Sequence, residues 1–177
     1  MRRHKHTQKR AHTHAKQRPF RGMDNTRDLD AILGRTKIYQ DVLGITREEL
    51  SSLYEEAHGY LEANRIEEAQ KAFGFLTKIN PFACDFWLGL GACYLLQEEY
   101  PQAFDAFIMA LTMEPGRYDC YAYAIECCMQ MKNYVQAEAL LKQAVVYAKR
   151  HPAQEESAVI LEEAARISAE ISVAKGA

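Results

Sequence analysis

One segment constrains the fold of this chain more than any other, and it reads Trp87-Leu88-Gly89-Leu90-Gly91-Ala92-Cys93-Tyr94. Small, aromatic and helix-stopping residues follow it at fixed offsets: Ala103, Phe107, Ala110 and Pro115. This spacing suits two helices packed antiparallel, with Gly91 and Ala103 at their closest approach and with Trp87, Tyr94 and Phe107 filling the wedge around them. Pro115 would then end the second helix.

The same pattern recurs when the chain is shifted by one fixed period in either direction. Going backward, the equivalent residues are Leu53, Ala57, Tyr60, Ala69, Phe73, Leu76 and Pro81. Going forward, they are Tyr121, Ala124, Ala137, Leu141 and Ala144, with the proline delayed to Pro152. Three repeats in register are about the minimum for a stable stack of helix pairs, because one pair cannot bury its apolar face alone.

A period of about 34 residues with these residue types is typical of tetratricopeptide repeats. The sequence therefore predicts an all-α solenoid of three helix-turn-helix repeats, over 50–83, 84–117 and 118–151. A capping box at Thr46-Arg47-Glu48-Glu49 would start the first repeat helix, and the turns inside the repeats would lie around Asn64, Glu98 and Asn133.

The whole domain is expected over 24–177, with an N-terminal helix over 26–43 and a C-terminal capping helix over 155–173. A polar-backed terminal helix keeps the open end of a solenoid soluble. The apolar side of the capping helix is expected to hold Val159, Ile160, Leu161, Ala164, Ala165, Ile167 and Ile171.

The charge of the chain is divided between two regions. Residues 1–22 hold eight of the 22 Lys and Arg and no acid, which leaves 14 basic and 24 acidic side chains, a net charge of −10, in 23–177. An acidic body argues against nucleic acid as the main partner. Residues 1–23 are expected to be a disordered basic tail, since they have almost no apolar residues. A solvated extension before a true start at Met23, an acidic-surface or nucleic-acid binder, metal capture and a transit peptide remain open for this tail.

The predicted N-terminal helix carries an apolar stripe outside the repeat pattern, at Leu29, Ile32, Leu33 and Tyr39. Such a stripe must be buried against the first repeat or against another chain. Both alternatives, an N-terminal cap and a homodimer contact, are open at this point.

The sequence offers no chemistry of an enzyme. It has no glycine-rich phosphate loop, no metal-ligand spacing and no plausible nucleophile with its base, so we expect no catalytic residues, no metal and no cofactor. The five cysteines, Cys84, Cys93, Cys120, Cys127 and Cys128, are expected to be reduced packing thiols. No apolar run approaches the roughly 18 residues of a membrane span, so we expect no direct membrane insertion.

Function would then depend on the concave face, which the first helix of each repeat lines. The inward positions predict a groove that is apolar and aromatic, formed by Tyr54, His58, Leu61, Leu88, Ala92, Leu95, Tyr123 and Glu126. Leu88 and Leu95 could instead complete the core. Tyr54 and Tyr123 are harder to explain in that way, because a tyrosine usually keeps its hydroxyl in contact with water.

The runs Gly44-Ile45-Thr46, Leu53-Tyr54, Glu68-Ala69, Phe86-Trp87-Leu88-Gly89-Leu90-Gly91-Ala92-Cys93 and Glu126-Cys127 resemble the class II chaperones of bacterial type III secretion systems. The resemblance covers roughly residues 28–150. It implies a bacterial, cytoplasmic and often dimeric chaperone that holds an extended segment of each hydrophobic translocator protein in the concave groove before secretion. A scaffold within a multi-protein assembly, or an adaptor tethered to nucleic acid by the basic tail, are the alternatives.

Overall fold

The computed structural model describes residues 43–176, and every regular element in that range is a helix. Between residues 47 and 175, seven helices follow one another: α1 Arg47–Glu62, α2 Ile66–Ile79, α3 Cys84–Leu96, α4 Tyr100–Met113, α5 Tyr118–Gln130, α6 Tyr134–Arg150 and α7 Glu155–Lys175. The first six pair as α1/α2, α3/α4 and α5/α6, which confirms the predicted three repeats. The predicted tail and N-terminal helix, with Leu29, Ile32, Leu33 and Tyr39, lie outside the described residues.

The start of the solenoid is fixed by the predicted capping box. The Thr46 hydroxyl accepts a hydrogen bond from the Glu49 backbone N–H at 3.1 Å, and the Glu49 carboxylate accepts one from the Thr46 N–H at 2.8 Å. Both donors would otherwise have no partner in the first turn of a helix. Helix α1 therefore begins at Arg47, slightly before the predicted repeat boundary.

The repeat period is also visible in the backbone of the turns. Asn64, Glu98 and Lys132 have φ of 58°, 61° and 59°, and each follows the first helix of its repeat. The N–H of the next residue reaches back to a carbonyl in the last turn of that helix, for example from Glu99 to Tyr94 at 2.9 Å. This left-handed turn satisfies a carbonyl at the helix end and reverses the chain within a short loop.

Helix α3 lies at the centre of the molecule and is buried on almost every side. One part of its surface, including Phe86, Leu90 and Cys93, packs into a core cluster with α1 and α2. The opposite part, including Leu88 and Leu95, packs into a second cluster with α4, α5, α6 and α7. The two clusters are the core of the solenoid, and α3 is the wall that they share.

The residues predicted to shape the central repeat lie in enclosed surroundings. A Cβ added at Gly91 would lie 2.6 Å from the ring of Phe107, which no real structure tolerates without movement. Trp87 and Tyr94 contact both clusters, and the Trp87 indole N–H donates to the Pro81 carbonyl at 2.7 Å. Ala103 and Phe107 are fully buried, and α4 ends at Met113, just before Pro115. Gly91 thus leaves the space that the ring of Phe107 occupies.

Helix α7 covers the open end of the last repeat. Its buried side holds Ile160, Ile167 and Ile171, whereas Leu161 and Ala165, which were expected on that side, are exposed. Arg117 ties this helix to the centre, because its guanidinium lies 2.9 Å from an Asp85 carboxylate oxygen on α3 and 4.0 Å from one of Glu156 on α7. The same guanidinium contacts Glu114 at 3.2 Å.

Candidate functional site

The concave face is formed by the inward positions of α1, α3 and α5, and burial along it follows a regular pattern. In three of the four sets of equivalent inward residues, the residue from the central repeat is buried and those from the outer repeats are partly exposed. These sets are Ser51, Asp85 and Asp119; His58, Ala92 and Glu126; and Leu61, Leu95 and Met129. We interpret the pattern as a shallow trough with walls on α1 and α5 and a floor on α3 that is apolar except for Asp85.

Three of the predicted groove residues, Tyr54, Leu88 and Leu95, belong to the core clusters. Leu88 is 1% exposed and belongs to the cluster around α4 and α5, so it completes the core. Tyr54 is 7% exposed, and its ring lies 5.5 Å from that of Phe86 and 6.1 Å from that of Phe73. The prediction that Tyr54 and Leu88 line the open groove is wrong, because packing between adjacent repeats buries both side chains.

Tyr123 also packs inward. Its ring stacks on that of Phe107, with a centroid distance of 5.2 Å and an interplanar angle of 25°. Phe107 belongs to the second helix of the previous repeat, so Tyr123 joins repeats two and three. The half-buried tyrosine therefore contributes more to packing between repeats than the sequence suggested.

The accessible walls of the trough are His58, Leu61, Glu126 and Met129, each partly exposed. Burial lowers the pKa of His58 below its usual value, an effect that Asp85 and Glu62 partly offset. The His58 ring makes edge contacts with Tyr54 at 4.6 Å and Phe73 at 5.3 Å. This wall of the trough is thus aromatic and favours the neutral imidazole.

The opposite wall contains the carboxyl group of Glu126. Its carboxyl group is largely removed from water, and this burial raises its pKa to about 7. Within the described part of the chain no hydrogen bond or ion pair of its side chain is present. An extended peptide in the trough would bring backbone N–H groups that such a carboxylate could accept from.

A glycine that sequence reasoning did not single out is as tightly enclosed as Gly91. A Cβ at Gly89 would lie 2.3 Å from the ring of Phe73, a residue of the first repeat. Gly89 thus lets the previous repeat pack closely against α3, and Gly91 lets α4, the second helix of the same repeat, do so. The alternation Gly-Leu-Gly was the signal, since two glycines on opposite sides of one helix require a close neighbour on each side.

Among the described residues, the side chains that could bind a metal ion are dispersed, and the thiols are buried. Among residues 43–176 no group of three His, Cys, Asp or Glu side chains could hold a metal ion. All five cysteines are buried free thiols, and burial raises the pKa of Cys93 to about 12 and that of Cys128 to about 11. A thiol protonated to that extent is a poor nucleophile. Of the helices described, none is both long and apolar enough to cross a bilayer.

Comparison with known proteins agrees with this architecture. Two family models, both described as tetratricopeptide repeat, match residues 54–119 and 94–155. The chaperone protein SicA of Salmonella typhimurium is 26% identical over 98 residues, which are 55% of this chain and 59% of SicA. The chain thus spans less than two thirds of the length of that relative.

Solved structures extend the likeness over more of the chain. A type III secretion complex from Aeromonas hydrophila matches with a TM-score of 0.67 and 25% identity, covering 85% of this chain and 96% of that one. PcrH of Pseudomonas aeruginosa, solved with the chaperone-binding region of PopD, matches with a TM-score of 0.63 and 26% identity, covering 75% of this chain and 96% of PcrH. Residues 54–155 therefore carry tetratricopeptide repeats, and the chain is similar to the translocator chaperones of type III secretion.

Proposed function

We propose that this protein is a bacterial type III secretion chaperone that holds an extended, apolar segment of a translocator protein in its concave trough. The observation that carries the proposal is the burial pattern of the first helices, which gives an apolar floor between two partly exposed walls. The complex of the similar protein PcrH with a segment of PopD supports it. Membrane-inserting clients expose apolar segments that aggregate, and a trough of this kind covers them until release.

The proposal places the protein in the cytoplasm as a homodimer, without nucleic acid as a partner. The dimer contact would be formed by the apolar stripe Leu29, Ile32, Leu33 and Tyr39. The helical spacing of these residues in the sequence supports this part of the proposal. Light scattering of residues 23–177 tests this part separately. A monomer at every concentration, unchanged by Ile32→Asp, would exclude the dimer without touching the trough.

Client binding is tested with substitutions on the walls, because floor residues belong to the core. Leu61→Glu and Met129→Glu place a charge on the half-exposed walls. Each should weaken binding of a translocator segment from the same genome more than tenfold, because burial of one apolar anchor contributes roughly 2 kcal/mol to binding. Phe75→Glu and Met109→Glu, at exposed positions of the second helices, are the matched controls.

Two readouts separate the chaperone from a scaffold. Titration of each variant with the segment, alongside circular dichroism, measures binding and folding. Coexpression of the full translocator with each variant then measures its solubility, which should fall with the wall variants and persist with the controls. If the wall variants stay folded and bind like the original chain, the trough is not the client site. If binding is lost while the translocator stays soluble, the protein is a scaffold.

A further inference from the structure

A second groove lies between α4 and α6, the second helices of repeats two and three, away from the walls of the trough. It has a volume of about 570 Å³, and its floor is apolar, with Ile108, Leu111, Leu140 and Val146 among the lining residues. Val146 is 47% exposed, which is a large fraction for an aliphatic side chain between two helices. Two neighbouring helices with an unfilled space between them offer a seat for a third helix.

The rim of this groove is basic, although the protein around it is acidic. Lys142, Arg150 and His151 line it, and among the described residues no Asp or Glu does. Residues 43–176 hold 11 Lys or Arg against 20 Asp or Glu, a net charge of −9. Neither Lys142 nor Arg150 has a hydrogen bond or ion pair with another residue in that range. Two unpaired cations beside an apolar floor match an occupant that carries carboxylates.

The repeat architecture does not require this charge. One repeat earlier, the residues equivalent to Lys142 and Arg150 are Ile108 and Gly116. Attraction to the C-terminal end of α6 accounts for a cation at Arg150, since that end carries a partial negative charge, but not for Lys142, about two turns earlier. His151 closes the same end of the groove, with its ring stacked 4.2 Å from that of Tyr147.

From this geometry we propose that the α4/α6 groove binds an amphipathic helix of another protein, with an apolar stripe on the floor and Glu or Asp side chains facing Lys142 and Arg150. The site is separate from the proposed client trough, so both are occupied independently. It would let the chaperone meet a second partner while the translocator segment stays bound.

The probe is a labelled helical peptide about four turns long, with Leu at i, i+3, i+4 and i+7 and Glu elsewhere, titrated by fluorescence anisotropy against the full chain. A twin with Lys in place of Glu is the charge control. The acidic peptide should bind at least tenfold more tightly than its twin. Lys142→Glu combined with Arg150→Glu should reduce its affinity at least tenfold, and Val146→Glu should do the same.

The matched control is Lys71→Glu with Lys78→Glu, two exposed lysines on α2, which should leave the affinity unchanged. The groove variants should still bind the translocator segment, and that segment should not displace the acidic peptide. The proposal is overturned if the control variant loses as much affinity as the groove variants, or if the lysine twin binds as tightly as the acidic peptide. It is also overturned if the groove substitutions have no effect, which is the result expected if the basic tail binds the peptide. A change of oligomeric state in the groove variants without a loss of peptide binding overturns it too, because that result would make the groove a contact between copies.

Discussion

Helices α3 and α7 differ in what surrounds them, and the difference shows how a solenoid assigns burial. In α3, ten of 13 residues are buried, while in α7 only Ser157, Ile160, Ile167 and Ile171 of 21 residues are. The central helix has a repeat on each side, whereas the terminal helix has one neighbouring repeat and water. Position in the stack therefore decides how much of a helix must be apolar, and the same substitution should cost more at the centre.

The largest effect is expected at the two enclosed glycines. Gly89→Leu or Gly91→Leu would force a side chain against the ring of Phe73 or Phe107 and should lower the free energy of unfolding by about 3 kcal/mol or more. Gly74→Ala on α2, where a Cβ meets nothing within 4 Å, should instead raise it by about 0.5–1 kcal/mol. Urea denaturation measures all three. Leucine variants that unfold at the original midpoint would mean that α3 is not enclosed on both sides.

Leucines at the centre and at the end give a direct comparison. Leu88→Ala on α3 removes a side chain that is 1% exposed and should cost about 3 kcal/mol, since the cavity cannot collapse between two repeats. Leu161→Ala on α7, at 42% exposure, should cost less than about 1 kcal/mol. The same denaturation experiment tests the pair. Equal costs would show that burial in the stack does not depend on position.

A buried carboxyl group beside the trough makes stability depend on pH. Because the folded pKa of Glu126 is raised to about 7, the folded state holds a proton that the unfolded state loses near its usual value of 4.5. Stability should therefore fall as the pH rises from about 5 to 8, and Glu126→Gln should remove this fall and be about 2 kcal/mol more stable at pH 8. Thermal unfolding at both pH values measures it. Glu162→Gln, at an exposed position of α7, is the control. If it also made stability independent of pH, Glu126 would not be the group responsible.

The smallest effect is expected in the turns, where all three repeats share one backbone conformation. Lys132 holds a left-handed conformation that costs a residue with a side chain roughly 1 kcal/mol, so Lys132→Gly should stabilise by about 0.5 kcal/mol after the entropy of glycine is counted. Asn64→Gly should change less, because asparagine tolerates that conformation. Differences in denaturation midpoint resolve both. Destabilisation by Lys132→Gly would mean that its side chain contributes more than its backbone strain costs.

Much of the fold was predictable because its signals are local. The capping box at Thr46 and the turn residues near Asn64 and Glu98 each act within a short stretch of the chain. Repetition of the pattern then placed the three helix pairs close to their observed positions. Leu161 was misplaced, because the apolar side of α7 is narrower than its sequence suggests and follows the contact with α6.

The sequence alone determined that this chain forms three helix pairs in register, since hydrophobic spacing, caps and left-handed turns are properties of neighbouring residues. Only the tertiary structure decided which apolar residues stay accessible to a binding partner and which are buried between repeats. Leu88 and Tyr54 have the residue types and positions of a groove floor, yet packing between adjacent repeats covers them. The α4/α6 groove likewise exists only once two repeats stack, because its lining combines Ile108 and Leu111 of one repeat with Leu140 and Val146 of the next. Contacts between repeats depend on how the repeats stack, and no single repeat encodes that stacking.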